Sequence, residues 1–245
     1  MKKTILSALL LTVCLTSGLL VGCTGIKVIG SGNLITKTFD FSDFTGIKAE
    51  NGMHVELIKS GTFRVEVIAD DNAMEHIQVS KSGDTLRIRP KANTAFRSAT
   101  LTAKITMPDL YELELSGGSH ASVSGFDSSH DLSVRLSGGS HLSEPLIPGD
   151  ISAVNADFNL SGGSHVNLSG SADGLKVKCS GGSHIYLEGF SVNNADINLS
   201  GGSHATVNVG GTLDAKLSGG SRAFYVGDPT MGQIDVDWDS DIIQK

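Results

Sequence analysis

Apolar and polar residues alternate along most of the chain. Leu113 and Leu115 flank Glu114, and Leu132 and Val134 repeat the same spacing before the next turn. Successive side chains of a β-strand point to opposite faces, so this period of two predicts strands that bury one face each. Apolar spacing typical of helices is absent after the first residues of the chain. The pattern therefore predicts an all-β protein.

A pentapeptide recurs between these predicted strands. Ser-Gly-Gly-Ser-His occurs five times, and a sixth copy ends in Arg222 instead of His. The copies begin at Ser116, Ser137, Ser161, Ser180, Ser200 and Ser218. Paired glycines reach backbone torsions that other residues avoid, so each copy predicts a tight corner.

A repeat of about 20 residues fits either a coil of a β-solenoid or a hairpin of a barrel or sandwich. The solenoid is favoured because the same residue recurs at the same phase of every repeat. Equivalent residues of successive coils stack about 4.8 Å apart, whereas neighbouring strands of an up-and-down barrel run in opposite directions. We therefore expect one parallel β-helix, with the insertion at residues 144–153 at a corner.

Residues 26–110 show less regular strands, with a short helical turn expected at residues 70–76. Turn signals at Asn51-Gly52 and Ser60-Gly61 separate these strands. We interpret the region as the starting coils of the same solenoid. A separate small β domain is the alternative.

The first residues are typical of an export signal. Lys2 and Lys3 precede an apolar run that ends in Leu20-Val21-Gly22-Cys23, which resembles a bacterial lipobox. That resemblance implies removal of residues 1–22 and acylation of Cys23, with residues 23–36 as anchor and linker. The residue after this cysteine is Thr24 rather than Asp, which favours the outer membrane or cell surface over the inner membrane. A plain signal peptide or a membrane helix is the alternative.

Charge and cysteine content argue against a nucleic-acid partner and against an intramolecular disulfide. The net charge is −7 and no basic patch exists to neutralise phosphates, which argues against a nucleic-acid partner. Processing would remove Cys14 and acylate Cys23, leaving Cys179 without an intramolecular disulfide partner. Cys179 occupies the repeat position that holds leucine in the other copies, so we expect a buried thiol that acts as a small apolar side chain.

Several short segments resemble the bacterial head GIN domain family, the "putative auto-transporter adhesin" family. They are Ile29-Gly30-Ser31-Gly32-Asn33, Phe44-Thr45-Gly46-Ile47, Val55-Glu56-Leu57 and Met107-Pro108-Asp109-Leu110. The resemblance covers residues 27–226 and implies a domain at residues 37–233. It also implies a right-handed β-helix similar to pectin lyases without their catalytic residues, and a cell-surface or adhesive role. The uniform Gly-Ser-His ending departs from the family.

The histidines of the pentapeptide should point outward and stack into a column that ends at Arg222. They are His120, His141, His165, His184 and His204. One interpretation is a surface feature copied by duplication. A second is a site for Zn, Cu or Ni, because imidazole is a common ligand of these metals. A third is a pH-responsive strip, because stacked imidazolium ions repel one another. No other cofactor is expected.

Outward strand positions carry alternating charge rather than a catalytic cluster. We expect Glu114 to pair with Arg135, and Lys176 with Asp157 and Asp196. A polysaccharide hydrolase or lyase would need clustered carboxylates. A non-catalytic role in adhesion or scaffolding is therefore favoured over a metal-binding envelope protein and over a degenerate carbohydrate-active enzyme.

The expected partners are the membrane, through the lipid, and glycans or other surface polymers. Tyr186 and Phe224 are the outward aromatic candidates for sugar stacking, and together with Arg222 they form a possible ligand face. No oligomeric state follows from the sequence.

The last segment, residues 234–245, alternates apolar residues with aspartates. We expect an acidic cap in which Ile234, Val236 and Trp238 face inward and the aspartates face solvent. Calcium binding by the aspartates is the alternative.

Overall fold

The computed structural model describes residues 25–143 and 150–245. The predicted signal sequence, Cys23 and most of the 144–153 insertion lie outside these ranges. The described residues form twenty-two strands and one short helix. The bounds are β1 Ile26–Ile29, β2 Leu34–Phe39, β3 Gly46–Glu50, β4 His54–Lys59, β5 Arg64–Asp70, α1 Asp71–Met74, β6 Ile77–Ser82, β7 Thr85–Pro90, β8 Thr94–Arg97, β9 Leu101–Met107, β10 Glu112–Ser116, β11 His120–Ser124, β12 Leu132–Leu136, β13 His141–Ser143, β14 Ile151–Leu160, β15 His165–Asn167, β16 Gly170–Cys179, β17 His184–Leu199, β18 His204–Val209, β19 Thr212–Leu217, β20 Arg222–Val226, β21 Thr230–Val236 and β22 Asp241–Gln244.

The strands stack as a β-solenoid of about six coils, so the predicted parallel β-helical fold is confirmed. Sheet A stacks β7, β3, β10, β12, β14, β16, β17, β19 and β21 in parallel. Sheet B stacks β9, β4, β11, β13, β15, β17, β18, β20 and β22 in the same way. Each regular coil passes from sheet A through a tight corner into sheet B, and long β17 contributes to both.

The core lies between the sheets and is filled by the inward residues of each strand. One column of sheet A consists of Leu115, Leu136, Leu160, Cys179, Leu199 and Leu217, all buried. Cys179 is paired in register with Leu160 on one side and Leu199 on the other. Burial raises the pKa of its thiol to about 12, so this side chain serves as the apolar filler expected from the repeat.

The strands of residues 26–110 join the same stack in an interleaved order. β3 lies between β7 and β10, and β4 lies between β9 and β11. Antiparallel strands flank this end: β5 pairs with β9 and β2, and β6 pairs with β7. β1 and β8 form a separate parallel pair. A simple succession of coils therefore begins only at β10.

The C-terminal segment extends both sheets but does not bury its apolar residues as expected. β21 pairs with β19 and β22 pairs with β20, yet Trp238 is 94% exposed and Ile234 is 39% exposed. Ile234 lies in register with the buried Ala215 and so faces inward as predicted, but within the described residues no further coil covers it. The inward orientation predicted for Trp238 is wrong. Val236 does pack against the core.

The aspartates of this segment bind the preceding coil. Asp235 pairs with Lys216 at 3.1 Å and Asp241 with Arg222 at 3.7 Å. Asp237 accepts a hydrogen bond from the Gly219 N–H at 2.8 Å.

Ion pairs on sheet A also differ from the predicted set. Glu114 pairs with Lys48 at 2.6 Å, and Arg135 pairs with Glu112. Lys176 forms no ion pair within residues 25–143 and 150–245, although it lies in register between Asp157 and Asp196. Long side chains reach diagonally across strands, so register alone did not determine the partners.

The described part of the chain holds no helix with the length and apolar character needed to cross a membrane.

Candidate functional site

The paired glycines determine the corner that presents each histidine. In all six pentapeptides both glycines have positive φ, near 64° for the first and near 74° for the second. A Cβ on Gly162 would lie 3.1 Å from the backbone nitrogen of Gly138 in the preceding coil. A Cβ on Gly163 would meet nothing within 4 Å. The first glycine is therefore required by both torsion and close stacking, and the second by torsion alone.

The second serine of each pentapeptide is fully buried and closes the corner. Its hydroxyl donates to the carbonyl of the first serine, three residues earlier, at 2.7 to 2.9 Å. The six buried serines are Ser119, Ser140, Ser164, Ser183, Ser203 and Ser221. A polar side chain is stable there because its hydrogen bond is made within the corner itself.

Backbone hydrogen bonds continue through the corners and hold neighbouring coils in register. The Gly163 N–H donates to the Gly181 carbonyl of the next coil at 3.0 Å. The His165 N–H donates to the Ser140 carbonyl of the preceding coil at 2.9 Å. The same pattern repeats from coil to coil, so the backbone of each histidine is fixed relative to the next.

The five predicted histidines stack in one column, and a sixth joins them. Neighbouring ring centroids are 4.7 to 4.9 Å apart, and most interplanar angles are 1 to 9°. His54 stacks on His120 at 4.8 Å and begins the column. Arg222 follows His204 in register at the other end, as expected.

His54 was missed because its corner has a different sequence. Glu50-Asn51-Gly52-Met53-His54 occupies the place of the pentapeptide, with positive φ at Asn51 and Gly52 and with Met53 fully buried in the serine position. The turn signal at Asn51-Gly52 could have placed this histidine, since it lies two residues after the second turn residue, as in the other copies.

The stack changes at its last pair. His165 and His184 are nearly parallel, at 1°, whereas His184 and His204 are tilted by 23°. The tilt brings Nδ1 of His204 within 3.0 Å of Nε2 of His184, a hydrogen bond between the two rings.

Stacking disfavours protonation of the rings. The pKa values of His120, His141 and His184 are lowered. Partial burial is the larger cause, and repulsion from neighbouring imidazoles is the smaller one. The backbone of the glycine two residues earlier opposes this decrease in pKa. Nδ1 is buried without a hydrogen bond of ordinary geometry in His120, His141, His165 and His184. The neutral form of the ring is therefore favoured at His120, His141 and His184.

Parallel rings are poorly arranged to share a metal ion. Nitrogen lone pairs lie in the ring planes, and two metal–nitrogen bonds of about 2.1 Å span less than the spacing between stacked rings. Within the described residues, no group of three or more His, Cys, Asp or Glu side chains is arranged to hold a metal. A metal site at these histidines stays a prediction that requires the rings to reorient.

A second outward column runs beside the histidines, two residues later in each strand. It consists of Glu56, Ser122, Ser143, Asn167, Tyr186, Thr206 and Phe224. We call the histidine column and this second column the histidine face. The predicted ligand residues Tyr186, Phe224 and Arg222 all lie on it.

Charge on the histidine face is confined to its ends. Lys104 pairs with Glu56 at 3.2 Å at one end, and Lys245 pairs with Glu188 at 2.8 Å at the other. The centre carries only imidazole, hydroxyl and amide groups.

Two shallow cavities lie on the histidine face. One, of about 270 Å³, is lined by His54, His120, Ser122 and Thr102 among others. The other, of about 260 Å³, is lined by His184, Tyr186, His204, Thr206, Phe224 and Lys245. A wider depression of about 590 Å³ lies over sheet A and includes Tyr111, Asp131, Asp157 and Lys176.

The family described as "Putative auto-transporter adhesin, head GIN domain" matches residues 43–229, a range that contains the whole histidine column. Among functionally curated proteins, none matches this sequence significantly.

Solved structures share the fold at low identity. A "putative adhesin" from Bacteroides fragilis NCTC 9343 is 19% identical with a TM-score of 0.76, covering 89% of this chain and 100% of its own. A "putative adhesin" from Parabacteroides merdae ATCC 43184 is 18% identical with a TM-score of 0.72, covering 90% and 99%. A "putative lipid binding protein" from Parabacteroides distasonis ATCC 8503 is 18% identical with a TM-score of 0.72, covering 89% and 99%. At these identities the similarity establishes the fold alone.

Proposed function

The chain belongs to the head GIN domain family, and from that membership we propose that it is a non-catalytic, lipid-anchored protein of the cell envelope that attaches to surface glycans through its histidine face. The family and two of the solved structures are described as adhesins and the third as a lipid binding protein, which supports a binding role.

The observation that carries the proposal is the uncharged centre of the histidine face. Sheet A presents ion pairs such as Lys48–Glu114, in which each charge is already engaged by its partner. The centre of the histidine face instead presents stacked imidazoles beside Ser122, Ser143 and Asn167. Hydroxyl, amide and imidazole groups both donate and accept hydrogen bonds, which suits the hydroxyls of a sugar polymer.

Repetition makes a weak contact useful. The same groups recur at each coil along one straight line, so a linear polymer can engage several coils at once. Each additional contact is then intramolecular, and the total affinity exceeds that of any single contact. The hydrogen-bonded corners keep the array rigid, which limits the entropy lost on binding.

Attachment is tested with two matched triple variants of the full chain. Ser122→Glu, Ser143→Glu and Asn167→Glu place charge on the histidine face, and Ser133→Glu, Asn159→Glu and Asn198→Glu do the same on sheet A. Attachment of the purified lipidated protein to surfaces coated with bacterial polysaccharides should fall about tenfold or more in the first variant only. Equal loss in both variants, or none in either, would exclude the histidine face.

The lipid anchor is tested separately at Cys23. We expect Cys23→Ser to release the protein from the membrane fraction, and we expect mass spectrometry of the wild type to find an acylated cysteine at the mature N-terminus. An unprocessed or unacylated N-terminus in the wild type would disprove the anchor without affecting the adhesion proposal.

A further inference from the structure

We propose that the cleft between Tyr186 and Phe224 binds one neutral pyranose unit of a glycan. The inference rests on the proposed adhesive function and assigns the sugar-contacting site within the histidine face.

Three consecutive coils build this cleft. Tyr186, Thr206 and Phe224 are directly in register on β17, β18 and β20. The two aromatic side chains are thus separated by two coil spacings, about 10 Å along the solenoid axis. Thr206, only 3% exposed, forms the floor between them, and Tyr186 is 46% exposed at the wall. A small residue between two large ones leaves a slot open to solvent.

The walls suit a sugar ring. The face of an aromatic ring is negative and attracts the weakly positive C–H bonds on the apolar face of a pyranose. His184 and His204 form the side of the cleft, and Nε2 of His204, which the bond between the two rings does not use, can hydrogen-bond a hydroxyl at the ring edge. The volume of about 260 Å³ and the open mouth fit a single sugar unit rather than an acyl chain, which needs a long enclosed apolar channel.

Charge at the cleft favours a neutral ligand. The Lys245 ammonium lies on the rim, 5.9 Å from the Phe224 ring centroid, but it is paired with Glu188 at 2.8 Å. Arg222, in the next column, is paired with Asp241. The cations beside the cleft are therefore already balanced by carboxylates, which leaves little attraction for a phosphate or a uronic acid.

The histidine column is irregular at this cleft. Five of its rings are stacked within 9° of their neighbours, whereas His204 tilts by 23° and hydrogen-bonds His184. That bond occupies one nitrogen of each ring and fixes their orientation at the wall. The cavity at the other end of the face lacks both the tilt and any aromatic ring apart from its histidines.

The test uses the full lipidated chain in detergent micelles and the methyl glycosides of glucose, galactose, mannose and N-acetylglucosamine. Saturation-transfer difference NMR should show transfer to the ring C–H protons of at least one glycoside, with saturable binding. We expect Tyr186→Ala and Phe224→Ala each to weaken binding roughly tenfold, and Tyr186→Phe, which keeps the ring, to stay within about twofold of the wild type.

Tyr111→Ala, which removes an exposed aromatic ring from the depression over sheet A, is the matched control and should not change the affinity for the glycoside. No saturable binding of any of the four glycosides, or equal binding in Tyr186→Ala, would overturn the cleft assignment. If polymer attachment is still lost in the Ser122, Ser143 and Asn167 glutamate variant, the adhesive function holds and only the cleft is wrong. If attachment is insensitive to that variant, the proposed function fails.

Discussion

The two halves of the solenoid form the same kind of corner with different residues. In the regular coils from β10 onward, paired glycines turn the chain and a buried serine closes the corner through its own hydrogen bond. In the first corner, Asn51 and Gly52 turn the chain and Met53 fills the buried position. Both corners nevertheless place a histidine in the same column.

The difference shows which parts of the corner the fold requires. Positive φ at two successive residues is common to both halves, so this backbone shape is the shared requirement. The buried position of the corner accepts either a serine, whose hydroxyl hydrogen-bonds a carbonyl of the same corner, or an apolar side chain that packs in the core. Only in the regular half do the coils stack in the order in which they follow along the chain. The strands of residues 26–110 join the sheets in an interleaved order.

The largest expected effect is at the apolar corner. Met53→Ala should lower the free energy of unfolding by about 3 kcal/mol, because it removes a fully buried side chain and leaves a cavity. Urea denaturation followed by circular dichroism measures the change. Met231→Ala, at a residue 41% exposed, is the control and should change the midpoint little. Equal effects of the two changes would show that the first corner does not depend on apolar packing.

The next effect separates the two glycines of a regular corner. Gly163→Ala should lower the free energy of unfolding by about 1 to 2 kcal/mol, the penalty of a left-handed torsion. Gly162→Ala should lower it by roughly a further 1 kcal/mol, because its Cβ also presses on Gly138. Both changes restrict the unfolded chain alike, so the difference in urea midpoint isolates the stacking contact. A smaller loss of stability in Gly162→Ala than in Gly163→Ala would show that the stacking contact with Gly138 does not matter.

A smaller effect is expected at the buried serine. Ser164→Ala removes a hydroxyl that donates to the Ser161 carbonyl at 2.8 Å, so the free energy of unfolding should fall by about 1 kcal/mol. Ser143→Ala, on the exposed surface, is the control for the same chemical change. Indistinguishable denaturation curves for Ser164→Ala and the wild type would mean that the hydrogen bond does not hold the corner.

The smallest effect concerns pH. Because His120, His141 and His184 have lowered pKa values in the folded protein, the unfolded chain binds more protons just below the ordinary imidazole pKa of about 6.5. Stability from these groups is therefore complete above that pH and is lost as pH falls towards the lower folded-state values.

Urea midpoints measured between about pH 5 and pH 7 should fall with decreasing pH in the wild type. The slope should flatten when the three histidines are replaced by asparagine. Identical slopes in the two proteins would show that stacking does not shift these pKa values.

Much of the fold and of the site could be predicted, and the failures share a cause. The pentapeptides predicted the solenoid, the histidine column and the place of Cys179, because a local motif copied at constant phase must stack with itself. His54, the Arg135–Glu112 pair and the exposure of Trp238 were missed, because each depends on a neighbour supplied by another part of the chain.

The amino-acid sequence by itself determined the corner, since paired glycines and the self-bonded serine are local features that need no distant partner. It also determined which side chains point outward, through the period of two. The tertiary structure decided the interleaved entry of residues 26–110, the 23° tilt at His204 and the cleft between Tyr186 and Phe224. These depend on which strands lie side by side, and that choice is made by packing of the whole core rather than by any single segment.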